Sequence, residues 1–114
     1  MLLKLILFRN ELKIKSIETY KIIGIVTEII FSKEILPKNN DIKIFLKDVF
    51  YLEYKDYIMK SRTMIVSKIS KFIIISENKN EFIKNLTIFI NDKIDHFKSK
   101  ENYKEKNNFD GWIK

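Results

Sequence analysis

The stretch YIMKSRTMIVSKISKFIIIS, Tyr57 to Ser76, decides how the chain is read. Ile58, Ile65, Val66, Ile69, Phe72 and Ile73 recur at helical spacing and form one core-facing arc. Lys60, Ser67, Lys68 and Lys71 fall opposite, with Met64 between them. The stretch carries Lys60, Arg62, Lys68 and Lys71 without one acidic residue, whereas acids and bases are interleaved elsewhere. An acid-free basic run on an amphipathic helix suits a phosphate-bearing partner, because each carboxylate there would cancel part of the attraction. The same pattern also describes a solubilising face, the ordinary role of charge on a helix.

Working outward, the single proline, Pro37, followed by Lys38-Asn39-Asn40, divides the chain. Proline cannot continue a helix, and asparagine favours turns and caps. After the break, Asn40 or Asp41 is positioned to cap a helix whose Ile42, Phe45, Leu46, Val49 and Phe50 share one face. Tyr51–Tyr54 reads as a turn, although it lacks a glycine, and a basic helix then spans about 55–75. A short helix, a tight turn and a longer helix with Ser61, Arg62 and Thr63 early in it suggest a helix-turn-helix. Beyond a connection at Ser76–Asn80, Phe82, Ile83, Leu86, Phe89, Ile90, Ile94 and Phe97 mark one face of a further helix.

Before the break, Ser16 is placed to cap a helix starting at Ile17, with Glu18 near its positive end. Glu18, Lys21, Glu28 and Ser32 lie on one narrow stripe and the remaining surface is apolar, as for a helix central to a bundle. The β-branched run IIGIVTEIIF, Ile22 to Phe31, also admits a strand. Leu12-Lys13-Ile14-Lys15 alternates like a strand. The fold class expected is therefore mainly α, a small bundle of about four helices, with a short N-terminal strand pair as a variant. Residues 1–98 form one domain in this reading. Residues 99–114 form a polar tail, with Asp110-Gly111 as a turn and Phe109, Trp112 and Ile113 as an apolar hook for its own bundle or a partner.

Composition bounds the rest. A chain of 114 residues is one domain at most and buries roughly 65% of its unfolded surface. Hydrophobic residues are 46% and charged residues 32%, which places it among globular chains. Alanine and glutamine are absent while Ile, Lys and Asn dominate, the mark of an AT-rich coding genome. Part of the net charge of +7 then reflects codon bias, so where the charges sit matters more than their sum. The absence of cysteine removes disulfides, thiolate metal sites and cysteine nucleophiles, and is compatible with a reducing cytoplasm. MLLKLILF, Met1 to Phe8, is too short for a signal segment and is interrupted by Lys4. IIGIVTEIIF is far shorter than the ~20 residues that span a bilayer.

Catalysis finds little support. Gly24 and Gly111 are the only glycines, so no glycine-rich phosphate loop exists. His96 is the only histidine, and with Asp92 and Asp95 nearby it makes a poor metal site. No enzyme, metal or cofactor is expected. Arg62 stands apart from the lysines because it falls within the apolar arc. It must reach solvent past the helix end or pair with Asp48, Glu53 or Asp56, unless it contacts a base edge or phosphate from a recognition helix.

The run DIKIFLKDVFYLEYKDYIMKSRTMIVSKISKFI, Asp41 to Ile73, resembles a segment of the plasmid partition proteins encoded in the plasmid-maintenance loci of spirochaetes. FLKDVF (Phe45 to Phe50) and EYKDYIMKSRT (Glu53 to Thr63) carry the likeness, with FINDKIDHFKSKEN (Phe89 to Asn102) and GWIK (Gly111 to Lys114) in support. The resemblance implies a cytoplasmic accessory of plasmid replication or segregation, whose partners would be plasmid DNA, partition or replication proteins, or both. It carries over no binding residues. From the residues themselves, the nucleic-acid contacts would be Lys60, Arg62, Thr63, Ser67, Lys68 and Lys71. The alternative is an adaptor or inhibitor encoded on a plasmid or mobile element, its basic face meeting an acidic protein. A homodimer fits either reading.

Overall fold

A computed structural model describes the backbone of residues 1–113 and the side chains of residues 1–100. Six helices make up the described chain: α1 (Leu2–Leu12), α2 (Thr19–Phe31), α3 (Asn39–Phe50), α4 (Asp56–Met59), α5 (Arg62–Ile75) and α6 (Asn80–Ile113). The mainly α class stands, and no strand occurs among the described residues. The N-terminal strand pair is thus corrected. Leu5, Phe8 and Leu12 recur at helical spacing and are buried together, so α1 claims the Leu12 end of the alternating run. Residues 13–16 form turns there. IIGIVTEIIF is helical too, because Ile22, Ile25, Val26, Ile29 and Ile30 all reach the core from one side of α2.

α1 and α3 both pack along α6, while α2 packs along α5 and makes a lesser contact with α1. One continuous apolar core joins them. Phe45 and Phe50 of α3, Phe72 of α5, and Phe82 and Phe89 of α6 meet at its centre. Phe45 sits 4.7 Å from Phe89 in an edge-on geometry, and Phe50 lies 5.3 Å from Phe82 and 6.0 Å from Phe72. Such aromatic pairs add about 0.5–1.5 kcal/mol beyond their area burial. All the core positions expected in α3 are buried. In α5 and α6 the expected arcs are buried or packed against the core, with Ile65, Ile69, Ile73, Leu86 and Ile90 essentially inaccessible.

Helix ends depart from expectation where local chemistry offered several answers. Ser16 caps nothing; Glu18 is the N-cap of α2, without a side-chain bond. α2 stops at Phe31, where the Ser32 hydroxyl accepts the Ile35 N–H at 3.2 Å and turns the chain before Pro37. α3 begins at Asn39, so Asp41 acts from inside the first turn: its carboxylate accepts the Lys38 N–H at 2.9 Å. The expected single helix over 55–75 is two. Lys60 and Ser61 break it, and the Ser61 hydroxyl accepts the Met64 N–H at 3.2 Å as the N-cap of α5. The backbone of α6 stays helical through Asp110-Gly111, where a turn was expected. The side chains of the aromatic hook, Phe109, Trp112 and Ile113, lie outside the described residues.

Candidate nucleic-acid interface

Lys68 and Lys71 project from the solvent side of α5, opposite the buried Ile65–Ile69–Ile73 line. Ser67 and Thr63 are exposed on the same helix, and Lys60 is exposed at the α4–α5 break. The three lysines therefore come from a helix and the corner before it, not from one uninterrupted rod. Three ion pairs occur among the described residues: Lys4–Glu28, Lys21–Glu11 and Lys47–Glu53. Lys60, Lys68 and Lys71 belong to none of them, so within the described residues their ammonium groups remain available to an external anion. Asp56 and Glu77 are exposed outside the two ends of α5.

Arg62 is placed differently. Its Nη1 donates to the Ile30 carbonyl at 2.8 Å, and its Nη2 donates to the Leu36 carbonyl at 2.8 Å and the Pro37 carbonyl at 3.3 Å. No carboxylate among the described residues pairs with it; Glu53 pairs with Lys47 instead. The last carbonyls of a helix have no partner within it and carry the negative end of its dipole. A guanidinium at the C-terminal end of α2 satisfies both conditions. Arg62 thereby ties the start of α5 to the end of α2 and to the loop before Pro37, and its donors face inward. It is a clasp between helices; its place on the apolar arc pointed to a structural role, but its partners were expected to be carboxylates, since backbone acceptors leave no trace in residue identity.

The helix-turn-helix geometry does not follow. α3 and α5 are separated by residues 51–61, which include α4, whereas the corner of that motif is a turn of 3–4 residues. α3 packs chiefly on α6 and α5 on α2, so α3 and α5 meet at Phe50 and Phe72 without forming the paired corner of that motif. The basic side of α5 also carries apolar groups: Met64, Ile74 and Ile75 are all exposed. Exposed Lys38, which the sequence reading did not single out, follows Pro37, whose carbonyl accepts a bond from Arg62.

His96 and Asp92 are exposed on α6, and no group of three metal-ligating side chains gathers among the described residues. No described helix is long and apolar enough to cross a membrane. No protein family, curated protein or solved structure matches this chain.

Proposed function

We propose that this chain is a non-enzymatic, cytoplasmic accessory of plasmid maintenance or partition that binds DNA through the exposed side of α5. One observation carries the reading: Lys60, Lys68 and Lys71 are each exposed, with no carboxylate of the described residues paired to them. Lysines of this kind act as point charges on phosphates, and Ser67 and Thr63 supply hydroxyl donors beside them. Arg62 is left out of the contact set because main-chain carbonyls hold its guanidinium. The likeness of Asp41–Ile73 to spirochaetal plasmid partition proteins supplies the biological setting. A mobility-shift titration with duplex DNA at several salt concentrations tests it. Log affinity should fall with log salt, with a slope of about −0.9 per phosphate contacted. Lys68→Glu should weaken binding equally for unrelated sequences. Binding that ignores salt would sink the proposal.

A second reading, a protein-interaction adaptor, is favoured by one specific observation. Met64, Ile74 and Ile75 stand exposed beside the lysines, and an apolar centre with a cationic rim suits an acidic protein surface. It predicts no duplex binding, and a Met64→Asp loss of complex in co-purification.

A further inference from the structure

The α1–α2 side of the molecule has features that its own core does not explain. Along α2, Tyr20, Gly24, Thr27 and Phe31 follow at i, i+4, i+7 and i+11 on one outward stripe. Its two aromatic ends are open, Tyr20 at 68% and Phe31 at 48% exposure. Gly24 sits mid-helix, where glycine weakens the helix. A Cβ added there meets nothing within 4 Å, so no group of the same chain requires the missing side chain. α1 carries Lys4, Arg9, Asn10 and Glu11, yet its Leu3 and Leu7, one helical turn apart, stay 72% and 54% exposed. Large apolar groups exposed side by side mark interaction surfaces. Two adjoining hollows of about 520 and 530 Å³ between α1 and α2 share Phe8, Thr27 and Glu28.

The charges around this side specify what covers it. Lys4 of α1 stands 3.4 Å from Glu28 of α2, and Glu11 of α1 stands 3.5 Å from Lys21 of α2. The four corners thus alternate in sign and sum to zero, which favours neither an acidic nor a basic partner. An alternating square of charge is complementary to itself under a two-fold rotation. With the axis lying in the face and across the helices, Lys4 comes to Glu11 of the second copy, and Lys21 to its Glu28. The same rotation sets Tyr20 against Phe31 and Gly24 against Thr27, large groups at the ends and small ones at the crossing. We propose that this side binds a second copy of the chain, with the two α2 helices crossing antiparallel at Gly24 and Thr27. Isologous contacts of this kind are the commonest way soluble chains pair.

The test uses the whole chain, by sedimentation velocity over a wide concentration range. The proposal expects a reversible monomer–dimer equilibrium that Gly24→Gln abolishes while far-UV circular dichroism keeps its helical signal, since that position is open in the single chain. Lys21→Glu and Glu28→Lys chains should each self-associate at least about tenfold more weakly, because like charges then meet across the axis. Mixed one to one, they should form a heterodimer tighter than either homodimer. A chain monomeric at every concentration would overturn the proposal, as would a dimer indifferent to Gly24→Gln or charge-altered chains that fail to pair on mixing. A monomer that sediments with phosphatidylcholine vesicles would also overturn it, assigning this side to lipid. No outcome depends on whether α5 binds DNA.

Discussion

Arg62 shows how a single side chain can decide between a structural and a recognition role. Its three bonds go to main-chain carbonyls, so replacing it strips partners from three acceptors, two of them half-buried. Arg62→Met should lower unfolding free energy by about 2 kcal/mol, read from urea denaturation. Arg62→Lys should recover only part of that, because one ammonium cannot span three carbonyls. DNA affinity, measured on the folded fraction, should stay unchanged; a selective loss of binding with intact stability would reverse the assignment. Tyr54 is the other residue with a measurable signature. Burial raises its hydroxyl above the ordinary phenol value of 10.0, so the fold prefers the protonated form. That contribution is complete below the unfolded value and is lost as pH rises through the folded one. Tyr54→Phe should therefore flatten the fall in urea midpoint as pH rises above 10.0.

At the scale of elements, helix faces were legible and helix ends were not. Ile42, Phe45, Leu46, Val49 and Phe50 declare the buried side of α3 through spacing alone, and Phe82, Leu86, Ile90 and Ile94 do the same for α6. Ends depend on competing polar groups a residue or two apart, as with Ser16 against Glu18 or Asn40 against Asp41. The 55–75 helix broke because Ser61 offered a cap in mid-run, where the apolar spacing continued without interruption. The lysines on the candidate face were legible for the same reason as the core, being the complement of the apolar arc. Arg62 fell on that arc and its partners did not follow, since they are carbonyls far along the chain. The turn after α3 has its own cost. Tyr51 adopts φ 56°, with its N–H on the Lys47 carbonyl at 3.0 Å and the Leu52 N–H on the Leu46 carbonyl at 3.2 Å. A left-handed conformation costs a bulky L-residue about 1–2 kcal/mol, and glycine is the residue suited to it. The Tyr51 side chain is exposed, and its hydroxyl only accepts a 3.3 Å bond from Asn85. Tyr51→Gly should accordingly raise the thermal midpoint by a few degrees, a gain of up to about 1 kcal/mol; a lower midpoint would mean the Asn85 contact outweighs the backbone strain.

Across the whole molecule, α5 presents exposed cations, and α1 and α2 present exposed apolar groups framed by paired charges. The core beneath them is joined through the phenylalanine cluster of α3, α5 and α6. The Arg62 bonds join residues 32, 26 and 25 positions apart in the chain. Such a link needs α2 and α5 already docked, and the expectation is that it closes after the rate-limiting step of folding. Its removal should then leave the refolding rate almost untouched and hasten unfolding instead, a shift carried by one arm of the chevron in stopped-flow measurements. With that outcome, the clasp would set how long the native chain endures, not how soon it forms.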